Sequence, residues 1–506
     1  MRDIPALRRL LTAGLVLTVG VTAAPAASFA WPGAPTPGSA GLGDRLFPTL
    51  GNGGYDVRDY DLKLSYPAKN PAQTVTGDVS ITAVATQNLS RFNLDFAGQG
   101  PARVEVNGKP ARFSRTGEEL VIMPRTALKA GRAFTVTVKG FKATPEAADP
   151  EALYGFTITP DGTALISQPA AAHQVFPSND HPSDKARFTV TTDVPSGWTG
   201  VASGVRTFSR SGGGRTVTTF RQEQPMATEL LQVAVGDFVV RDRAPVGPVR
   251  VRDVVPRRLA DQQLPKFDAE REQIRWMEQK VGPYPFDAYG SLMVDVAGDT
   301  ALETQTLSLY DASTTAAPPA SLEPTMAHEL AHQWFGNSVA KATWSDLWLS
   351  EGHATWYELL WAERIGSLEE HTGFPTREEL FRQLYALSDS WRAENGPVAR
   401  PKSAQELSDL FNINVYLGGA LTLYALRQKV GAAAFERLQR DWVTAYRGKS
   451  ASTADFIALA SRSTGRDLKP FLTSWLYGTV TPPMPGHPDW TTTGSSTAAA
   501  TLRLHK

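Results

Sequence analysis

From Tyr55 to Val240 apolar residues recur at every second position. Tyr60, Leu62 and Leu64 alternate with Asp61 and Lys63, Val79, Ile81 and Ala83 with Ser80 and Thr82, and Phe134, Val136 and Val138 with Thr135 and Thr137. Successive side chains of a strand point to opposite faces, so this pattern predicts half-buried strands of an antiparallel sandwich or saddle, broken by Gly, Pro, Asn and Asp clusters. From Leu259 onward the spacing turns helical, with Ile274, Met277 and Val281 on one face. Helical spacing also covers 321–335, 346–365, 377–390, 415–430 and 453–461. There is no repeat of the solenoid kind. The expected fold class is α+β multidomain, with an N-terminal β domain over 45–245 and a mainly helical domain over 246–482. Residues 31–44, rich in Pro and Gly, read as a flexible lead-in, and 483–506 as an irregular tail.

The first residues read as a targeting segment. Arg2, Arg8 and Arg9 precede an apolar run from Leu10 to Val21, and small residues continue to Ala30. This is the layout of a secretory signal over 1–30, with cleavage after Ala26 or Ala30, and it predicts a secreted, extracellular protein. The apolar run is about a dozen residues, short of the ~20 that span a bilayer, so no stable membrane anchor is expected.

Composition narrows the chemistry. Of 506 residues, 42% are hydrophobic and 20% charged, which excludes a disordered chain. Lys and Arg total 51 and Asp and Glu total 51, so nothing favours a polyanion and no nucleic-acid partner is expected. Nothing in the chain indicates an oligomeric state. The chain has no cysteine. Disulfides and thiol catalysis are excluded, and any metal site must be built from His, Asp and Glu.

Such a site is visible at His328-Glu329-Leu330-Ala331-His332. On a helix, residues four apart lie one above the other, so both imidazoles reach one ion, and the glutamate between them is placed to take a proton from water. Ser321 is the expected N-cap, Pro324 suits the first turn, and Gly336-Asn337 forms the stop. With eight histidines in the chain, chance pairing at this spacing has a probability of roughly one in a hundred. A catalytic zinc takes three protein ligands and keeps one position open. The third ligand is expected from Glu351, in the segment DLWLSEGHA at 346–354. His353 is the rival, although two residues on it would face away from the side that Glu351 faces.

These motifs carry a resemblance. HELAHQWFGN at 328–337 followed by WSDLWLSEG at 344–352 resembles the aminopeptidase-N family of zinc metallopeptidases, gluzincins with a thermolysin-like catalytic domain. GNGGYDVRDYDL at 51–62 resembles the family's opening strand, and VFPSNDHPSDKARF at 175–188 and QPMATELLQVAVGDF at 224–238 its β-domain signatures. VGPYPFDAYG at 281–290 resembles the approach to its substrate strand. The match runs from about residue 45 to 480 and implies one zinc per chain, with His328, His332 and Glu351 as ligands and Glu329 as general base.

The resemblance implies further roles. The family's Gly-x-Met-Glu-Asn segment lines the cleft, and its glutamate binds the substrate's α-amino group. Here the matching stretch is Thr300-Ala301-Leu302-Glu303-Thr304, which keeps the glutamate as Glu303 and replaces the glycine, methionine and asparagine. Ala301 and Leu302 are the expected substrate-strand residues. Tyr416 matches the tyrosine that stabilises the oxyanion, while Tyr424 reads as a core aromatic. Gln168 resembles a substrate-pocket glutamine of the β domain. Long members carry a large C-terminal helical domain that has no counterpart here, which implies a more open site. The reading these features favour is a secreted aminopeptidase acting on peptides with a free N-terminus. A thermolysin-type zinc endopeptidase, in which Glu303 does not anchor an amine, and a catalytically dead binding module are the alternatives.

Overall fold

The computed structural model describes residues 33–148, 154–296, 298 and 300–493. The expected signal segment at 1–30 and the tail beyond 493 lie outside the described residues. From Pro35 onward the described residues belong to one compact unit.

The period-two segments form strands. Tyr55–Ser65, Val75–Ala85 and Ala133–Ala143 are neighbours in an eight-stranded sheet. Tyr60, Leu62, Val79, Ile81, Val136 and Val138 are buried there, while their polar neighbours point outward. Tyr55–Ser65 pairs in parallel with Ala186–Pro195, and that strand pairs antiparallel with Arg215–Met226. A four-stranded sheet built on Leu89–Asp95 and Glu119–Met123 and a five-stranded sheet built on Gly162–Ile166 and Val233–Gly236 share the same core.

A six-stranded sheet follows. It orders Phe238–Val246, Val249–Pro256, Ser291–Val294, Ser308–Asp311 and Ala301–Leu302, with Ala288–Tyr289 beside Val249–Pro256. Its two faces meet different partners. Val254, Leu292, Val294 and Leu309 join the β-domain core, whereas Val255, Met293 and Tyr310 pack with Leu322 and Met326. The change of sheet therefore falls between Gly236 and Phe238, ahead of the expected boundary at 245. Alternation marks a strand but carries no label for the sheet it joins.

The longer helices among the described residues are α1 (Glu270–Val281), α2 (Pro319–His332), α3 (Trp348–Ile365), α4 (Arg377–Asn395), α5 (Ile413–Val430), α6 (Ala432–Ala445), α7 (Thr453–Thr464) and α8 (Lys469–Tyr477). Their shared core is rich in aromatics, with Trp334, Trp348, Trp361, Trp442 and Trp475 buried. Helix α2 departs from its expected ends. It starts at Pro319 after Pro318, so Ser321 lies inside the first turn and Pro324 inside the helix. Proline's fixed φ and missing N–H suit the first helical position, which makes Pro319 the better starter. The helix ends at His332 rather than 335, because Gly336 takes φ +129° and the Asn337 N–H turns back to the His332 carbonyl at 2.9 Å.

The lead-in is a second correction. Thr36–Pro37 pairs with Leu89–Asp95, and Ala40 bridges to Asn52. Asp44 is buried, and its carboxylate accepts the Leu46 N–H at 2.8 Å and the Trp344 N–H at 2.7 Å. A Pro- and Gly-rich stretch lacks periodicity, but its peptide groups find partners all the same. Residues 483–493 form no helix or strand, as expected of the tail, yet they are packed. His487 stacks on Trp490 at 4.0 Å, and Trp490 on Tyr424 at 6.1 Å.

Helices α3 and α5 touch through glycines. A Cβ on Gly352 would lie 2.8 Å from the Gly419 Cα, and one on Gly419 would lie 2.7 Å from the Gly352 Cα. Gly352 adjoins Glu351, and Gly419 is one turn from Tyr416. Overpacking of this kind costs about 1–3 kcal/mol. Gly352→Val is expected to lower the calorimetric melting temperature by a corresponding amount. An unchanged melting temperature would mean that these helices have room to separate.

Candidate active site and metal centre

Helix α2 carries His328, Glu329 and His332 in its last turns, all buried. The two imidazole centroids are 4.8 Å apart with planes at 70°. Helix α3 supplies Glu351 from its first turn. One carboxylate oxygen, Oε2, lies 3.4 Å from His328 Nε2 and 3.3 Å from His332 Nε2. Three donor atoms thus face one another in a buried space.

The far side of each ring sets its tautomer. His328 Nδ1 donates to Glu358 Oε2 at 2.7 Å, and His332 Nδ1 donates to the Phe335 carbonyl at 3.1 Å. Both Nε2 atoms are left as lone-pair donors aimed at the space beside Glu351. Oriented imidazoles of this kind are the usual support of a zinc ligand. Two imidazoles and one carboxylate, the group His328, His332 and Glu351, also match the open donor set of a catalytic zinc. The residues present fit the metal.

His353 does not join the cluster. Its Nδ1 donates to the Leu349 carbonyl at 2.9 Å, and its ring stacks on Phe335 at 4.5 Å. Burial pulls its pKa down to about 3, so it is a neutral core residue.

Glu329 lies beside His328, His332 and Glu351, 5% exposed, and its Oε2 has no hydrogen-bond partner. Burial pushes its carboxyl above the usual range, against the pull of His328 and His332. A carboxylate raised in this way is a stronger base. Tyr416 sits in the first turn of α5, which starts from Asn412, whose side chain accepts the Asn414 N–H. Its ring lies over His328, centroids 6.0 Å apart. Burial, then the carboxylates of Glu351, Glu303, Glu329 and Glu358, hold its phenol well above the ordinary value. Tyr416 keeps its proton at neutral pH and faces the site as a donor. Tyr424 instead stacks on Phe381 at 4.3 Å.

Glu303 follows the short edge strand Ala301–Leu302, whose residues are half-buried and pair antiparallel with Leu309 and Tyr310. Its carboxylate accepts the Gln168 Nε2–H at 2.5 Å and stands 4.0 Å from His332 Nδ1. Its carbonyl accepts from Gln333 Nε2 at 3.2 Å and Asn337 Nδ2 at 2.6 Å. The loop is tied again at Thr306, which adopts φ +68°. There the N–H donates to Gln333 Oε1 at 3.1 Å, and Oγ1 accepts the Gly204 N–H at 2.7 Å. The structure therefore brings Gln168 of the β domain together with Glu303 and the metal cluster.

Several contributors have no signature in the sequence. Glu358 stands two turns beyond Glu351 on the same face and bridges His328 to His371, whose Nε2 lies 2.7 Å from Oε1. Burial raises its carboxyl, but the hydrogen bonds from His328 and His371 outweigh that and hold it at about 2. The seven-residue spacing from Glu351 on one helix is the single hint of it. Gln333 and Asn337, which hold the Glu303 loop, follow directly on the second imidazole. Lys341 and Glu229 form a buried ion pair at 2.5 Å between the two halves of the chain. No periodicity announces such a pair.

Comparison with known proteins agrees with this arrangement. The Peptidase M1 N-terminal domain matches residues 57–230, and the Peptidase family M1 domain matches residues 266–475. Aminopeptidase M1-A of Oryza sativa subsp. japonica is 27% identical over 442 residues, 83% of this chain and 50% of that protein. Probable aminopeptidase 1 of Saccharolobus solfataricus is 25% identical over 400 residues, 76% of this chain and 49% of that protein. The chain spans about half the length of the curated relatives it matches. An M1 zinc metallopeptidase from Deinococcus radiodurans superposes with a TM-score of 0.77 at 31% identity, covering 88% of this chain and 99% of that one. Its E323A mutant bound to the substrate Tyr-Ser-Ala gives a TM-score of 0.78 at 32% identity, covering 88% of this chain and 100% of that one. With both domains matched in sequence and nearly the whole of a solved zinc metallopeptidase covered, this chain belongs to peptidase family M1.

Proposed function

We propose that the protein is a zinc aminopeptidase that hydrolyses the first peptide bond of peptides with a free N-terminus. One observation carries this reading. Glu303 is a buried carboxylate beside the metal cluster, with an amide donor from Gln168 and no Lys or Arg partner among the described residues. An α-ammonium is the cation that such a group would take, and a charge-assisted hydrogen bond there is about twice as strong as a neutral one. The aminopeptidase names of the relatives and the tripeptide held by the D. radiodurans neighbour support it.

Each group then has a task. His328, His332 and Glu351 hold zinc, which when bound supplies Lewis acidity for the scissile carbonyl and acidifies the attacking water. Glu329 accepts the proton from that water and passes it to the leaving amine. The Tyr416 hydroxyl donates to the oxygen where charge develops, a contact stronger in the transition state than in the ground state. Glu303 and Gln168 fix the amino end, so the first carbonyl rather than a later one would be presented to His328, His332, Glu351 and the Glu329 base. The free edge of Ala301–Leu302 suits pairing with the extended substrate backbone. Secretion, expected from residues 1–30, belongs to the same reading. No helix among the described residues is long and apolar enough to cross a membrane.

Four experiments test the assignment. Elemental analysis is expected to give about one zinc per chain, lost together with activity on chelation. Chelator-resistant activity in zinc-free protein would end the metal reading. Glu329→Gln is expected to keep zinc and lose roughly 10²–10⁴ in turnover. Tyr416→Phe should lose roughly 10²–10³ with KM nearly unchanged, and a mainly raised KM would remove Tyr416 from its role. Finally, free-amine aminoacyl substrates should be cleaved far faster than their N-acetylated forms, and Glu303→Ala should narrow that gap at constant zinc content. Equal cleavage of free and blocked peptides by the parent enzyme would instead favour a thermolysin-type endopeptidase.

A further inference from the structure

Apart from the metal centre, a cavity of about 650 Å³ opens between the strand Thr199–Ala202, the hairpin Val205–Gly212 with Arg215–Met226, and the hairpin Phe238–Val246 with Val249–Pro256. None of the residues assigned to the active site lines it. Its volume falls in the range of small-molecule sites, which is roughly 300–1,000 Å³.

The charges on its wall do not balance. Arg250 and Arg252 both line the cavity and stand two apart on one strand, hence on one face. Arg252 is only 7% exposed. Its guanidinium lies 4.6 Å over the Phe220 ring, and Nη2 donates to the Ala202 carbonyl at 2.5 Å. Its Nε has no hydrogen-bond partner, and among the described residues no carboxylate is within ion-pair distance of it or of Arg250. The other arginines on this wall are neutralised. Arg243 pairs with Asp268 at 2.6 Å and also with Asp253, and Arg257 pairs with Asp237 at 2.8 Å. Asp242, directly across the ladder from Arg252, has a side chain 74% exposed and leans toward Arg206 at 3.8 Å.

Two guanidinium groups are thus left with no carboxylate at ion-pair distance among the described residues, and one of them, Arg252, is buried. A buried ion without a partner is costly, and chains keep such groups where something else completes them. Burial and the nearby Arg206 lower Arg252 to about 10, outweighing the pull of Asp242, which agrees with a guanidinium that has no carboxylate in direct contact. We propose that this cavity binds a small organic dianion, a phosphate monoester or a dicarboxylate, whose oxyanion accepts hydrogen bonds from Arg252 and Arg250. Guanidinium forks match the spacing of such oxygens. Trp198, Phe220, Phe238 and Val240 supply apolar wall for the carbon skeleton.

The test uses the zinc-loaded full chain. Glycerol 1-phosphate and succinate are titrated by calorimetry, and sodium chloride at matched ionic strength controls for screening. Saturable binding of at least one dianion is expected, with the better probe telling the phosphate from the dicarboxylate. Arg252→Met and Arg250→Met should each weaken it about tenfold or more while zinc content stays constant. Arg250 is exposed, so its variant keeps the test valid if Arg252→Met does not fold. Unchanged affinity in the variants would place the anion elsewhere, such as on the zinc. No binding beyond the chloride control would also overturn the proposal.

Discussion

Everything near the cleft depends on bringing a carboxylate from one helix against two imidazoles of another, largely withdrawn from bulk water. Burying three ionisable groups in this way is unfavourable unless each has a partner on every side. The chain meets that demand in layers. Glu351 faces both Nε2 atoms, while Glu358 and the Phe335 carbonyl hold the two Nδ1 atoms. His371 steadies Glu358 from behind. The contact of Gly352 with Gly419 then lets the helix bearing Tyr416 lie against the one bearing Glu351. Metal binding, the placement of the phenol and the tight seam between helices are one geometric problem.

The surroundings of Glu303 are assembled across the chain rather than within one element. Gln168 comes from the β domain, Glu303 from the loop after an edge strand, and Gln333 and Asn337 from the residues just past the end of helix α2. The replacement of the family's asparagine by Thr304 leaves this frame standing. Thr304 donates its hydroxyl to the Leu307 carbonyl at 2.5 Å, which closes the turn behind the carboxylate. The position of Glu303 is held by its own main chain, and that tolerates change in its neighbours.

Much of this could be read from residue types and spacing, where the signal is local. Alternation placed Tyr60, Val79 and Val136 in the core, and a four-residue interval put His328 and His332 on one face. Signals that depend on partners far along the chain stayed hidden. Asp44 looked like part of a loose leader because its partner, the Trp344 N–H, is 300 residues away. The strand Phe238–Val246 looked like more of the β domain because period two is the same in every sheet. Pro324 looked like a helix start because a proline's preference for the first turn is a tendency, and Pro319 satisfied it first. Gln168 and Glu303, 135 residues apart, could be joined only by resemblance.

The bond from Asp44 to Trp344 also bears on the order in which the molecule is made. As the chain emerges, Asp44 Oδ1 meets its local donor, the Leu46 N–H, at once, but Oδ2 must wait for 300 further residues before the Trp344 N–H exists. Contacts of such sequence separation slow folding and leave early segments exposed meanwhile. The β domain has its own core and can close first, holding the leader near its final place through Thr36–Pro37 beside Leu89–Asp95. The same segment then reaches the loop that precedes helix α3, which makes the residues around Asp44 a late fastener for the helical half of the chain.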